Sequence, residues 1–164
     1  LNIGYRHITL STCGVIPKMY ELADLNIPIN LALSLHSPFD EKRAEIMPVA
    51  KAYKVKDLIK ACQNYIDKTN RRVTFEYIML ENVNDSLDDA KELADLLQNM
   101  NCYVNLIPYN ETENIEYKRT KNNQIMKFYD ILKKNKINVT VRKEFGSKVD
   151  AACGQLRANK NIGG

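Results

Sequence analysis

The sequence has no run of about 18 apolar residues, the length a helix needs to span a bilayer, so nothing in it reads as a membrane span. Its opening, "LNIGYRHITL", has neither a basic start nor an apolar h-region, so no signal peptide is visible. Leu1 is not an initiator methionine, and the chain is expected to be a piece of a longer protein. The four cysteines, Cys13, Cys62, Cys102 and Cys153, are dispersed, with no C-x-x-C or similar pair. Zinc and iron–sulfur sites draw on clustered ligands, so this chain alone offers neither. A disulfide scaffold does not suit a chain of this size and composition. Reduced thiols in a cytoplasmic protein are the expectation. The glycine-rich phosphate loops are missing as well: neither G-x-G-x-x-G nor G-x-x-x-x-G-K-[ST] occurs. No internal repeat, low-complexity segment or linker stands out.

What is present is 164 residues with a 45% hydrophobic share, enough for one compact unit with one core. The net charge of +4 permits a polyanionic partner without demanding one. Basic residues bunch at Arg71 and Arg72, at 118–121, at 133–136, at Arg142 and Lys143, and at Arg157 and Lys160. Solvated helix faces and strand ends would account for these bunches, and so would phosphate contacts.

Strand and helix patterns alternate. "RHITLS" is β-branched and alternating, and reads as a strand. "VIPKMYELADL" reads as a helix with Pro17 near its start. "INLALSL" is a near-continuous apolar run, the kind found in parallel sheets buried on both faces. "HSPFDEKRAEIMP" reads as a loop with a short helix. "VKDLIKACQNYIDKT" is amphipathic at helical spacing. "RRVTFEYIML" is a strand, "SLDDAKELADLLQNM" a helix capped by Ser86, and "CYVNLIP" a strand. After a longer loop, "NNQIMKFYDILKKN" is a helix and "INVTVRK" a last strand. This order predicts an α/β fold with parallel strands and right-handed crossovers. A flavodoxin-like open sheet and a piece of a (βα) barrel both fit it.

In such folds function gathers beyond the C-terminal ends of the strands. There the sequence places Ser11, Thr12 and Cys13, then Ser34, His36 and Asp40, then Glu81 and Asn84, then Asn110, and finally Arg142, Glu144 and Cys153. The constellation suggests a polar small molecule held over the strands. Each residue also has a plainer reading. A serine can simply hydrogen-bond a loop, His36 can be structural, and Asn110 can hold a turn. Glu76, inside an apolar strand, is expected to meet a cation or line the interior of a barrel. Cys62, on an apolar helix face, reads as core, and Cys102 as inert.

"SLHSPFDEKR", "LIPYN" and above all "DAACGQL" resemble the RlmN family of radical S-adenosylmethionine RNA methyltransferases, over essentially the whole chain. The resemblance implies a partial (βα) radical S-adenosylmethionine barrel. It implies that Ser11, the segment Ser34, Leu35 and His36, and Asn110 contact S-adenosylmethionine. Cys153 is similar to the family's cysteine that becomes S-methylated. The implied reaction has two stages. One S-adenosylmethionine methylates the cysteine. A second, cleaved at a [4Fe-4S] cluster fed by a reductant, gives a radical that activates the methyl for carbon 2 of an adenine, in 23S rRNA and in some members in tRNA. An upstream cysteine then helps resolve the protein–RNA crosslink.

The departure from the family is large. The C-x-x-x-C-x-x-C cluster motif is absent. Residues 1–164 therefore look like the C-terminal half of the barrel plus the catalytic-cysteine segment, inactive alone and prone to self-association through a cut barrel edge. Two other readings stand beside this one: a relative, Cfr, that methylates carbon 8, and an RNA-binding α/β module without chemistry.

Overall fold

The computed structural model describes residue 4 and residues 7–111 and 116–143. Five strands alternate with helices: β1 (Thr9–Thr12), α1 (Ile16–Leu25), β2 (Asn30–Ser34), α2 (Asp40–Ile46), α3 (Val55–Thr69), β3 (Val73–Met79), α4 (Leu87–Leu96), β4 (Cys102–Pro108), α5 (Asn122–Lys134) and β5 (Asn138–Val141). A 3-10 turn over Pro48–Ala52 joins α2 to α3.

The strands lie in sequence order, β1-β2-β3-β4-β5, and every neighbouring pair is parallel. The flavodoxin-like order 2-1-3-4-5 is thereby excluded, and the sheet is wound in one direction only, as in a barrel wall. Right-handed crossovers at each step put the helices on one face. That face is apolar. In β3, Val73, Phe75, Tyr77 and Met79 are all buried, while Thr74, Glu76 and Ile78 between them are half-buried. Leu31 and Leu33 of β2 and Val104 and Leu106 of β4 extend the buried layer, which α1, α3, α4 and α5 cover with residues such as Met19, Leu58, Leu93 and Phe128.

Register then fixes the opposite face. Ser11, Ala32, Thr74, Tyr103 and Asn138 form one row across the five strands. Ser34, Glu76, Asn105 and Thr140 form the next row toward the C-terminal ends. This face carries serine, threonine, glutamate and asparagine side chains where the helix-covered face, which must exclude water, carries apolar ones. Among the described residues β1 pairs only with β2, so it is an edge.

Candidate functional site

The end of β1 turns sharply. Gly14 has φ +99 and donates its N–H to Thr12 Oγ1 at 3.0 Å. A Cβ here would lie 2.7 Å from Leu58 Cδ1, so the turn needs a glycine both for its backbone angle and for space.

The end of β2 is built by long-range bonds. The Leu35 side chain is fully buried, its N–H donates to the Glu76 carbonyl at 3.0 Å, and its own carbonyl accepts from Arg43 Nε at 3.0 Å. His36 has φ +64, a left-handed backbone that a non-glycine residue adopts only when its surroundings hold it there. They do: the His36 carbonyl accepts from Asn84 Nδ2 at 2.8 Å, and His36 Nδ1 accepts the Ile78 N–H at 3.0 Å. With Nδ1 an acceptor, the proton of the neutral ring sits on Nε2. Burial, and then the charge of Arg43, hold the imidazole neutral, with its pKa lowered to about 4.

Asn84 is the hub of the adjoining loop. It is fully buried and its amide is satisfied on every side: Oδ1 accepts from Leu80 N–H at 2.8 Å, and Nδ2 donates to Ile78 O at 2.7 Å as well as to His36. Its backbone carbonyl accepts the Tyr77 hydroxyl at 2.6 Å.

On the polar face Glu76 meets Arg142 Nη2 at 3.2 Å, so the carboxylate within the strand finds a cation. A cavity of about 600 Å³ lies lower on the same face, lined by Asn30, Arg71, Thr74 and Glu76 among others. Arg71 Nη2 donates to Asn30 Oδ1 at 2.6 Å there, and the Arg72 guanidinium lies 4.3 Å from the centroid of the Tyr103 ring.

The residues singled out in the sequence fall as follows. Ser11 is exposed on the polar face, and Ser34 lies on the neighbouring strand one row closer to the rim. Leu35 and His36 follow directly, so these four come to the ends of two adjacent strands. Asn110 is exposed two residues past β4, with β3 between its strand and β2. Cys153 and Glu144 lie outside the described residues. Cys62 and Cys102 are buried, and burial pushes each thiol up to about 12, which leaves them protonated and inert. Among the described residues no group of His, Cys, Asp and Glu converges to hold a metal ion. Sequence reasoning missed Arg43. Its guanidinium is buried behind the ends of β1 and β2, yet in "DEKRAE" it reads as one more solvated charge on a short helix.

No protein-family model matches the chain. It is 62% identical over 157 residues to a protein of Clostridioides difficile named "Probable dual-specificity RNA methyltransferase RlmN", a match covering 96% of this chain and 46% of that protein. A Clostridium beijerinckii protein of the same name is 56% identical, covering 96% and 44%. Among solved structures, a radical SAM methyltransferase from Sphaerobacter thermophilus superposes with a TM-score of 0.85 at 44% identity, covering 96% of this chain and 46% of that one. A domain of a pyruvate-formate lyase-activating enzyme from Bacteroides vulgatus shares the fold, with a TM-score of 0.65 at 15% identity over 82% of this chain and 80% of that one. Over nearly all of its length the chain is similar in sequence to proteins named RlmN and in fold to a radical SAM methyltransferase, and it spans about half the length of the curated relatives it matches.

Proposed function

We propose that this chain is the C-terminal portion of a cytoplasmic RNA methyltransferase that methylates carbon 2 of an adenine in 23S rRNA and in tRNA. One observation carries the reading: 96% of the chain aligns at 62% identity with a protein named for dual-specificity RNA methylation.

The described residues fit S-adenosylmethionine. The ends of β1 and β2 offer two hydroxyls, Ser11 and Ser34, beside a neutral imidazole with one N–H to give. Such uncharged donors and acceptors suit a ligand that carries both an ammonium and a carboxylate. In this reading Ser11, Ser34, His36 and Asn110 make the polar contacts. Leu35, although part of the segment, offers no side-chain contact, since its N–H and carbonyl are already engaged and its side chain is buried in the core with Leu31 and Leu33. The described residues do not fit an iron–sulfur cluster, whose ligands and reductant contact belong to the rest of the longer protein.

Cys153 is the methyl carrier. An adenine carbon is electrophilic and cannot take a methyl cation as a nucleophile would, whereas a thiolate can. S-adenosylmethionine supplies the methyl and, with the cluster, the radical chemistry that follows; the protein positions and shields it. Ala151, Ala152 and Gly154 flank the carrier with small side chains that allow close approach.

The test is Cys153→Ala in the full-length protein with its cluster reconstituted, acting on RNA from a strain that lacks the enzyme. Mass spectrometry of the RNA should show 2-methyladenine with the wild type and none with a folded variant. A wild-type product methylated at carbon 8 would move the chain to the Cfr-like reading. Retained methylation by Cys153→Ala would return the cysteine to a structural role.

A further inference from the structure

The rim contains a buried cation to which the reading above gives no role. Arg43 on α2 is 1% exposed. Its Nε donates to the Leu35 carbonyl at 3.0 Å, and its Nη2 donates to the carbonyls of Cys13 at 2.7 Å and Ser34 at 3.0 Å. No carboxylate forms an ion pair with it among the described residues, where its Nη1 is also buried without a hydrogen-bond partner.

Stability alone is a poor explanation for this arrangement. Burying a cation without a carboxylate is costly, and an apolar side chain of similar volume commonly serves a core as well or better. What only a guanidinium offers is a planar fork of five donors that can hold several carbonyls at fixed angles. The three carbonyls held here belong to the C-terminal ends of two different strands. Cys13 O stands two residues after Ser11, and Ser34 O and Leu35 O lie within the second candidate contact segment. The fit is close: a Cβ at Gly14 would stand 3.4 Å from Arg43 Nη2.

We propose that Arg43 is a positioning residue for the S-adenosylmethionine site, its guanidinium stapling the end of β1 to the end of β2 and so fixing Ser11 against Ser34 and His36. The proposal rests on the functional reading above. Arg43 touches the backbone behind the site rather than the ligand, so its loss should weaken binding by letting the two loops part.

Two substitutions separate this role from a merely structural one. Arg43→Lys keeps the charge, but a single ammonium cannot span three carbonyls in the fork geometry. Arg43→Gln keeps donors and drops the charge. The measurement is S-adenosylmethionine affinity by titration calorimetry on the full-length protein, cluster reconstituted, at a temperature where circular dichroism shows each variant folded. Leu132→Ala serves as the comparison. Leu132 is a fully buried residue of α5, next to β5 at the opposite edge of the sheet from β1, so its loss should lower the melting temperature without changing affinity. Arg43→Lys should bind about tenfold or more weakly, roughly 1.4 kcal/mol, with Arg43→Gln at least as weak. A folded Arg43→Lys with wild-type affinity would overturn the proposal. If neither variant folds, Arg43 serves the fold and not the site, and the proposal falls. If the wild type itself does not bind S-adenosylmethionine, the functional reading fails and takes this one with it.

Discussion

His36 shows how far single residues were legible. Its place after a strand marked it as a site candidate. Its left-handed backbone and its tautomer could not be read, because they depend on Ile78, 42 residues away, and on Asn84, 48 residues away. Arg43 was hidden for the same reason: its three acceptors come from other elements, and local sequence sees only a charge among charges. The His36 environment has a measurable consequence. Its folded pKa of about 4 lies below the ordinary 6.5, so the unfolded chain takes up the proton first as pH falls. Stability from this group is therefore complete above about pH 6.5 and is lost progressively down to about pH 4. At 1.36 kcal/mol per pKa unit the loss is on the order of 3 kcal/mol. Urea unfolding at several pH values should show this slope in the wild type and a shallower one in His36→Gln. Equal slopes would mean that His36 takes up its proton as readily in the folded chain as in the unfolded one.

At the scale of elements the sequence said more. β3 alternates strictly, and its odd-numbered residues went to the helix-covered face as the pattern requires. β2, an apolar run, is buried at Leu31, Ala32 and Leu33, while Asn30 and Ser34 at its ends are only half-buried. Strand order was not legible, since alternating βα units satisfy both an open sheet and a barrel wall until register is known. The cap of α4 was legible because it is local. Ser86 Oγ accepts the Asp89 N–H at 3.0 Å, and Asp89 Oδ2 accepts the Ser86 N–H at 3.0 Å. Asp89 also takes Lys42 at 2.8 Å, tying α4 to α2. Ser86→Ala should cost about 1 kcal/mol, and Ser86→Gly only a few tenths. In a domain of this size that is a fall of roughly 2–4 °C in melting temperature for the alanine variant. Equal melting temperatures for wild type and Ser86→Ala would show that the N-terminus of α4 does not depend on this cap.

For the whole molecule, composition announced a basic chain but not where the charges lie. The structure divides them between two ends. Arg71 and Arg72 immediately precede β3, at the N-terminal end of the sheet. The cations at 118–121 sit at the opposite end, held beside the close of β3 by the Leu80–Arg119 bridge and by the Glu81 N–H bond to Lys118 O at 2.8 Å. Arg142 joins them through its N–H bond to Leu106 O at 2.8 Å, with Lys143 next in the chain. An RNA whose adenine reaches a site over the strand ends can engage the second group and not the first. The Lys121–Glu81 pair, 3.3 Å and largely exposed, is too weak to withhold that lysine from a phosphate. Reversing Lys118, Lys121 and Lys143 together in the full-length protein should therefore weaken RNA binding and flatten its salt dependence, by roughly 0.7–0.9 in log–log slope for each phosphate no longer neutralised. Arg72→Gln, which removes an exposed cation stacked on Tyr103 at the other end, should leave both affinity and slope as they were. If Arg72→Gln costs as much as the triple reversal, RNA approaches the whole basic surface rather than the rim, and the division of charge seen here has no part in recognition.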